Sequence, residues 1–135
     1  MYRYIVKYHQ EVIEFFETLD HKTYDKTEEM IDLLEEHGND LDRMSGGKWA
    51  HSIKGAKYPF KVLIPKRAGK GPIVRVAFFV DKDRTIHLLC GGDKRGIKET
   101  LFYERFKSKA SVRIGEIKRG QYGTDYTRRI SKKTP

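Results

Sequence analysis

Between Tyr58 and Cys90 the chain passes through three stretches rich in β-branched and aromatic residues: Tyr58–Ile64, Ile73–Val80 and Thr85–Cys90. The connections carry turn chemistry, with Gly69, Gly71 and Pro72 in the first and the charged quartet Asp81–Arg84 as the second. This spacing predicts an antiparallel meander. Ahead of it, Arg3–Tyr8 alternates and reads as an edge strand. From His9 the period changes. Val12, Phe15, Phe16 and Leu19 fall at helical spacing and predict an amphipathic helix ending near Leu19. Asp20 or Thr23 can cap a second helix, whose apolar positions are Met30, Ile31, Leu33 and Leu34 and whose stop is Gly38. Residues 39–57 are irregular, with Ile53 starting a short strand. Trp49 in this segment reads as a plug against the sheet, with a base-stacking platform as the alternative. Ile97–Lys109 predicts a last helix with Leu101, Phe102 and Phe106 on its apolar side, and Ile114–Lys118 can continue it. Beyond Gly120 a loose tail is expected. The order β-α-α-β-β-β-α predicts an α+β domain over residues 1–110, a small antiparallel sheet with a helical hairpin on one face. Residues 111–135 then form a basic C-terminal extension.

Charge changes the picture. The net charge of +9 divides unevenly: residues 1–44 hold 5 Lys+Arg against 12 Asp+Glu, and the remainder holds 23 against 7. A balance of −7 joined to one of +16 points to a polyanion-binding sheet backed by a solvated acidic layer. The length, 135 residues, suits one domain with one core. The single cysteine, Cys90, excludes an internal disulfide framework and fits a reducing cytoplasm. No run approaches the ~20 apolar residues of a membrane-spanning helix, so a cytoplasmic protein with no membrane partner is expected.

Side-chain parity locates the cations. In the second strand Lys61 opposes Tyr58, Phe60, Val62 and Ile64; in the third Arg75 opposes Val74, Val76, Phe78 and Val80. In the fourth His87 opposes Ile86, Leu88 and Cys90. With the apolar rows under the helices, Lys61, Arg75 and His87 share the open face, and Lys94 and Arg95 stand at its rim. Like charges on one face are best explained by a phosphate backbone across it. Lys54, Lys57, Lys66, Arg67 and Lys94 are the expected RNA-backbone ligands. Other chemistries lack their motifs. Ala68–Gly71 (AGKG) is a hairpin turn and not a phosphate-binding loop. Neither CxxC nor GxSxG occurs, the five histidines have no metal-ligand spacing, and no cofactor or metal is expected.

With these pieces in order, namely LLEEHG at Leu33–Gly38, then IKGAKYPFKV, VRVAFFVD, IHLLCGGDKR and a last helix, the chain resembles the RelE/ParE superfamily of type II toxins. The likeness is strongest to its RelE-like and HigB-like mRNA interferases and spans roughly residues 5–110. The resemblance implies a RelE-like fold and a cytoplasmic endoribonuclease that cleaves mRNA, typically on the ribosome, and is neutralised by a cognate antitoxin with an acidic segment. Carried over position by position, it implies catalytic roles for Lys61, Arg75, Arg95 and Tyr103, with His51 and His87 as local counterparts of HigB-like histidines. The C-terminal histidine-tyrosine pair of another branch is missing. Metal-free cleavage also follows from chemistry, because RNA carries its own nucleophile in the 2′-hydroxyl. Two other readings remain: a ParE-like, non-catalytic inhibitor of gyrase, and a basic RNA-binding module without catalysis.

Overall fold

The computed structural model describes residues 3–130. Strand β1 (Ile5–His9) leads directly into helix α1 (Gln10–Glu17), whose first turn is capped by His9: Nδ1 accepts from the Glu11 backbone N–H at 3.0 Å. Helix α2 (His21–His37) begins at Asp20, whose carboxylate accepts from the Thr23 N–H (3.3 Å) and hydroxyl (2.5 Å). Gly38 ends α2 with φ at 56°, and Tyr4 packs so closely over it that a Cβ there would lie 2.1 Å from the ring. Only glycine meets both demands. A 3-10 turn (Gly38–Asp40) and the one-turn helix α3 (Leu41–Ser45) follow. Then come β2 (Ala50–Ser52), β3 (Lys61–Leu63), β4 (Val74–Val80), β5 (Thr85–Asp93), the long helix α4 (Glu99–Lys118) and β6 (Tyr126–Arg128).

The six strands form one sheet in the order β2-β3-β4-β5-β1-β6. This is the α+β class expected, with helices packed on a sheet, and its centre is the β3-β4-β5 meander. Two details differ from the expectation. β1 is an interior strand, parallel to β5 and antiparallel to β6, so the sheet is mixed. Helices also cover both faces. α1 and α2 bury Val6, Leu63, Val74, Val76, Phe78, Ile86 and Leu88 on one side. α4 buries Phe60, Val62, Ala77, Leu89 and Cys90 on the other, through Phe102, Phe106, Ala110, Ile114 and Ile117. A strand buried on both faces carries apolar residues at both parities, and parity alone cannot then say which row lies under which helix.

A β-bulge sharpens this. Ala77 pairs with Cys90, but Phe78 pairs with Leu88, leaving Leu89 as the extra residue. Leu89 and Cys90 therefore both join the α4 side. The Leu89 carbonyl is taken by the Arg113 guanidinium at 2.5 Å, which also donates to Glu11 at 3.2 Å. Gly91 and Gly92 follow. A Cβ on Gly91 would meet the Phe15 ring at 2.7 Å, and one on Gly92 the Phe102 ring at 3.2 Å, so both helices lay an aromatic against bare backbone here.

The C-terminal region belongs to the fold. α4 runs without a break from Glu99 to Lys118, well beyond Lys109, and β6 hydrogen-bonds to β1 where a loose tail is expected. Residues 131–135, the end of the expected extension, lie outside the described residues. Just after β6, Arg129 is buried beneath α2, where it meets Glu28 (2.5 Å), Asp32 (2.7 Å) and Glu35 (3.5 Å). Part of the acidic layer thus receives a basic side chain from the far end of the chain. The same region closes over His87: its ring packs edge-on against Tyr122 (5.9 Å) and Tyr126 (5.1 Å) and is 2% exposed. Burial lowers its pKa from 6.5 to about 4, only partly opposed by Asp81. Among the described residues no helix is long and apolar enough to cross a membrane.

Two outcomes are expected. Replacing Arg129 by alanine strands the buried carboxylate of Glu35 and the half-buried one of Glu28, and urea unfolding should lose about 3 kcal/mol. Arg128→Ala at the exposed neighbour should stay within about 0.5 kcal/mol of the parent. For His87, the unfolded chain gains a proton as pH falls below 6.5 while the folded chain stays neutral to about 4. Stability is therefore lost across that window on acidification. His87→Phe should flatten the slope of unfolding free energy between pH 6.5 and 4; an unchanged slope would exclude His87 as its source.

Candidate functional site

Site geometry follows from the register. Leu63 stands opposite both Ala50 and Val76, and Arg75 opposite Gly92. One residue further along, the Ile64 N–H donates to the Trp49 carbonyl at 2.8 Å, which carries the pairing out to the sheet end. Trp49, Ile64, Arg75 and Gly92 therefore form a row across the sheet on the α4 side. His51, opposite Val62, stands in the adjacent row of the same face. Gly92 lets Phe102 descend onto the sheet, which brings the first turns of α4, with Glu99 and Tyr103, beside these residues.

The side chains converge there. The His51 and Tyr103 rings lie 6.4 Å apart and line one cleft of about 360 Å³ with Lys54, Glu99 and Lys107. The Lys94 ammonium sits 5.9 Å from the centre of the Tyr103 ring and donates to Glu99 at 3.0 Å. That hydrogen bond, with the nearby charges of Lys94, Arg75 and His51, holds the Glu99 carboxyl below the usual carboxylate range. Arg75 donates through Nη1 to the Val74 carbonyl at 2.8 Å, while its buried Nε has no hydrogen-bond partner among the described residues. The cleft thus holds an imidazole, a phenol and the carboxylates of Glu99 and Glu104, with the Lys94 cation at its edge and Arg75 on the neighbouring row of the same sheet face; such a set can position a phosphodiester and move protons to and from it.

The sequence-predicted residues separate into groups. Lys94, Tyr103 and His51 come together, with Lys54 on the cleft wall, and Arg75 stands in the neighbouring row of the same face, opposite Gly92. Arg95 stands at the rim, its guanidinium paired with Asp93 (2.8 Å) and donating to the Lys70 carbonyl (3.3 Å). Lys66 and Arg67 lie beyond Arg75, around a second cavity that Arg75 also lines. Lys57 is exposed near the Tyr58 ring, 5.6 Å from its centre. Lys61 departs from the expected shared face: it opposes Phe78 on the α2 side and is bound by Asp42 (3.1 Å) and the Asn39 carbonyl (3.0 Å). Its parity was misplaced because Phe60 and Val62 pack under α4 and not under the helical hairpin.

His87 shares the face of Arg75 but not its end of the sheet. It pairs with Phe79, at the opposite end of β4, beneath Tyr122 and Tyr126. The cationic open face of the parity argument is thus largely occupied by α4, and what stays accessible is its end near Arg75. Sequence reasoning did not single out Glu99 as a site residue; its place four residues before Tyr103, one helical turn away, is the signal that could have found it. Trp49 is 38% exposed, so it is not a plug. Burial pushes the Cys90 thiol up to about 12, which leaves it an unreactive core residue.

Residues 14–114 match the family described as Phage derived protein Gp49-like (DUF891). No curated protein and no solved structure matches the chain. The matched span holds His51, Arg75, Lys94, Glu99 and Tyr103, while β1 and β6 fall outside it. Such a family is consistent with the toxin of a toxin–antitoxin pair and suggests a cognate antitoxin as partner. With the match covering most of its length, this chain belongs to the Gp49-like phage-derived family.

Proposed function

We propose that this protein is the toxin of a toxin–antitoxin pair and acts as an endoribonuclease on mRNA held by the ribosome, without a metal ion. The observation that carries this reading is the cleft lined by His51, Glu99 and Tyr103, with the Lys94 ammonium against Glu99 and the Tyr103 ring and Arg75 on the same sheet face, opposite Gly92 where α4 packs. The RNA supplies the nucleophile. Its 2′-oxygen attacks the adjacent phosphorus as the bond to the 5′-oxygen breaks, leaving a 2′,3′-cyclic phosphate and a 5′-hydroxyl. His51 takes the proton of the 2′-hydroxyl, and the Tyr103 hydroxyl protonates the departing 5′-oxygen. Arg75 and Lys94 stabilise the charge that builds on the phosphorane, and Glu99 fixes the Lys94 ammonium in place. Arg95, Lys54, Lys66 and Arg67 hold neighbouring phosphates. An acidic segment of the antitoxin fits the same cationic surface.

Translating ribosomes incubated with the protein in EDTA should show cleaved mRNA. His51→Gln and Tyr103→Phe should each lower the cleavage rate ~100- to 10,000-fold. Arg75→Ala should lower it ~100- to 1000-fold. Intact mRNA at protein levels that arrest growth would sink the proposal. If Arg75→Ala and Tyr103→Phe kept full toxicity while DNA supercoiling fell, gyrase binding would be the activity instead.

A further inference from the structure

Beyond Arg75 the sheet end opens into a second cavity of about 370 Å³, whose apolar residues the chemistry above does not use. Its apolar lining is Trp49, Ile64, Pro65 and Ile73, with Met30 of α2. Around it stand Lys48, Lys66, Arg67 and Arg75, and none of the described residues that line it is acidic. The size falls within the ~300–1,000 Å³ of small-ligand pockets. Arg67 is already braced, donating from Nε to the Gly71 carbonyl at 2.7 Å and from Nη2 to the Lys70 carbonyl at 3.0 Å. An exposed indole among apolar side chains, with cations around them, offers a π-face for a flat ring and charge for the phosphates on either side of it.

We infer that this cavity is a nucleobase-stacking subsite for single-stranded RNA, with Trp49 as the platform. Resting on the ribonuclease reading, it receives the base next to the scissile phosphate. Arg75 links the two places: it lines the cavity, and it stands opposite Gly92, where Phe102 of α4 packs one residue before Tyr103. Its buried, unpartnered Nε gives the shared residue a donor still to be satisfied. Cations alone would hold any polyanion. The indole makes the site selective for a strand whose bases are unstacked and available.

The chain has one tryptophan, so its fluorescence reports on this cavity alone. The probe is a short 2′-O-methyl oligoribonucleotide, which lacks the attacking hydroxyl and cannot be cut. Saturable quenching of Trp49 is expected with this oligonucleotide, and little with an abasic one of equal charge. A fluorescein label supplies the affinity independently by anisotropy. Trp49→Ala should weaken binding ~5- to 150-fold and Trp49→Phe much less, in keeping with the strength of base–aromatic stacking. Binding without quenching, an unchanged affinity in Trp49→Ala, or equal quenching by a polyglutamate peptide would overturn the inference. Because the probe is uncleavable, the result is separate from catalysis: quenching without ribonuclease activity keeps the subsite and rejects the enzyme, and cleavage without quenching does the reverse.

Discussion

The pairing of β4 with β5 is the constraint from which the site follows. This ladder sets Arg75 opposite Gly92, and the absent side chain at Gly92 is what allows Phe102, and with it the start of α4, to reach the sheet. Move the register by one residue and Arg75 would turn to the helical-hairpin face, away from the start of α4. The bulge at Leu89 keeps this register compatible with cores on both sides. It delivers Leu89 and Cys90 to α4 and returns Ile86 and Leu88 to the hairpin side. The carbonyl it frees is satisfied by Arg113, which also engages Glu11 at the start of α1.

Charge is arranged on two scales. At long range the basic two-thirds of the chain gives a field suited to a polyanion. At short range most cations near the site already have partners: Lys94 has Glu99, Arg95 has Asp93, and Lys61 has Asp42. These contacts limit repulsion between like charges and fix geometry, at the expense of some freedom to reach a phosphate. Lys66 and Arg67 are exposed around the cavity beside Arg75, and Arg67 also borders a neighbouring cavity with Asp25 and Glu29. The acidic layer of α2 has a second duty that its composition hides, since Glu28, Asp32 and Glu35 enclose Arg129.

Much of the fold was legible because its signals are local. Gly38 as a helix stop and the meander with its two turns appear as read, while α1 stops at Glu17, two residues short of Leu19, the first meander strand narrows from Tyr58–Ile64 to Lys61–Leu63, and the short strand expected from Ile53 is Ala50–Ser52. What escaped was non-local. No local pattern in Tyr126–Arg128 announces a strand whose partner lies near the other end of the chain, and nothing around Arg129 declares its three carboxylates. The site was half legible for the same reason. Arg75, Lys94, Tyr103 and His51 were all identified as candidates, and three-dimensional proximity sorted them from Lys61 and His87. The two errors have one origin. Burial of both faces makes apolar rows appear at both parities, and the assumption of an uncovered face then assigned Lys61 to the wrong side and left His87 open to solvent.

The position of β1 has a consequence for synthesis. It is made first, yet its neighbours in the sheet are residues 85–88 on one side and 126–128 on the other. As the chain grows from its N-terminus, Ile5–His9 must wait with both backbone edges unpaired until most of the polypeptide exists. The α1–α2 hairpin can gather early, but the sheet can close only late. The nascent protein therefore passes through a long interval in which an exposed strand invites foreign pairing.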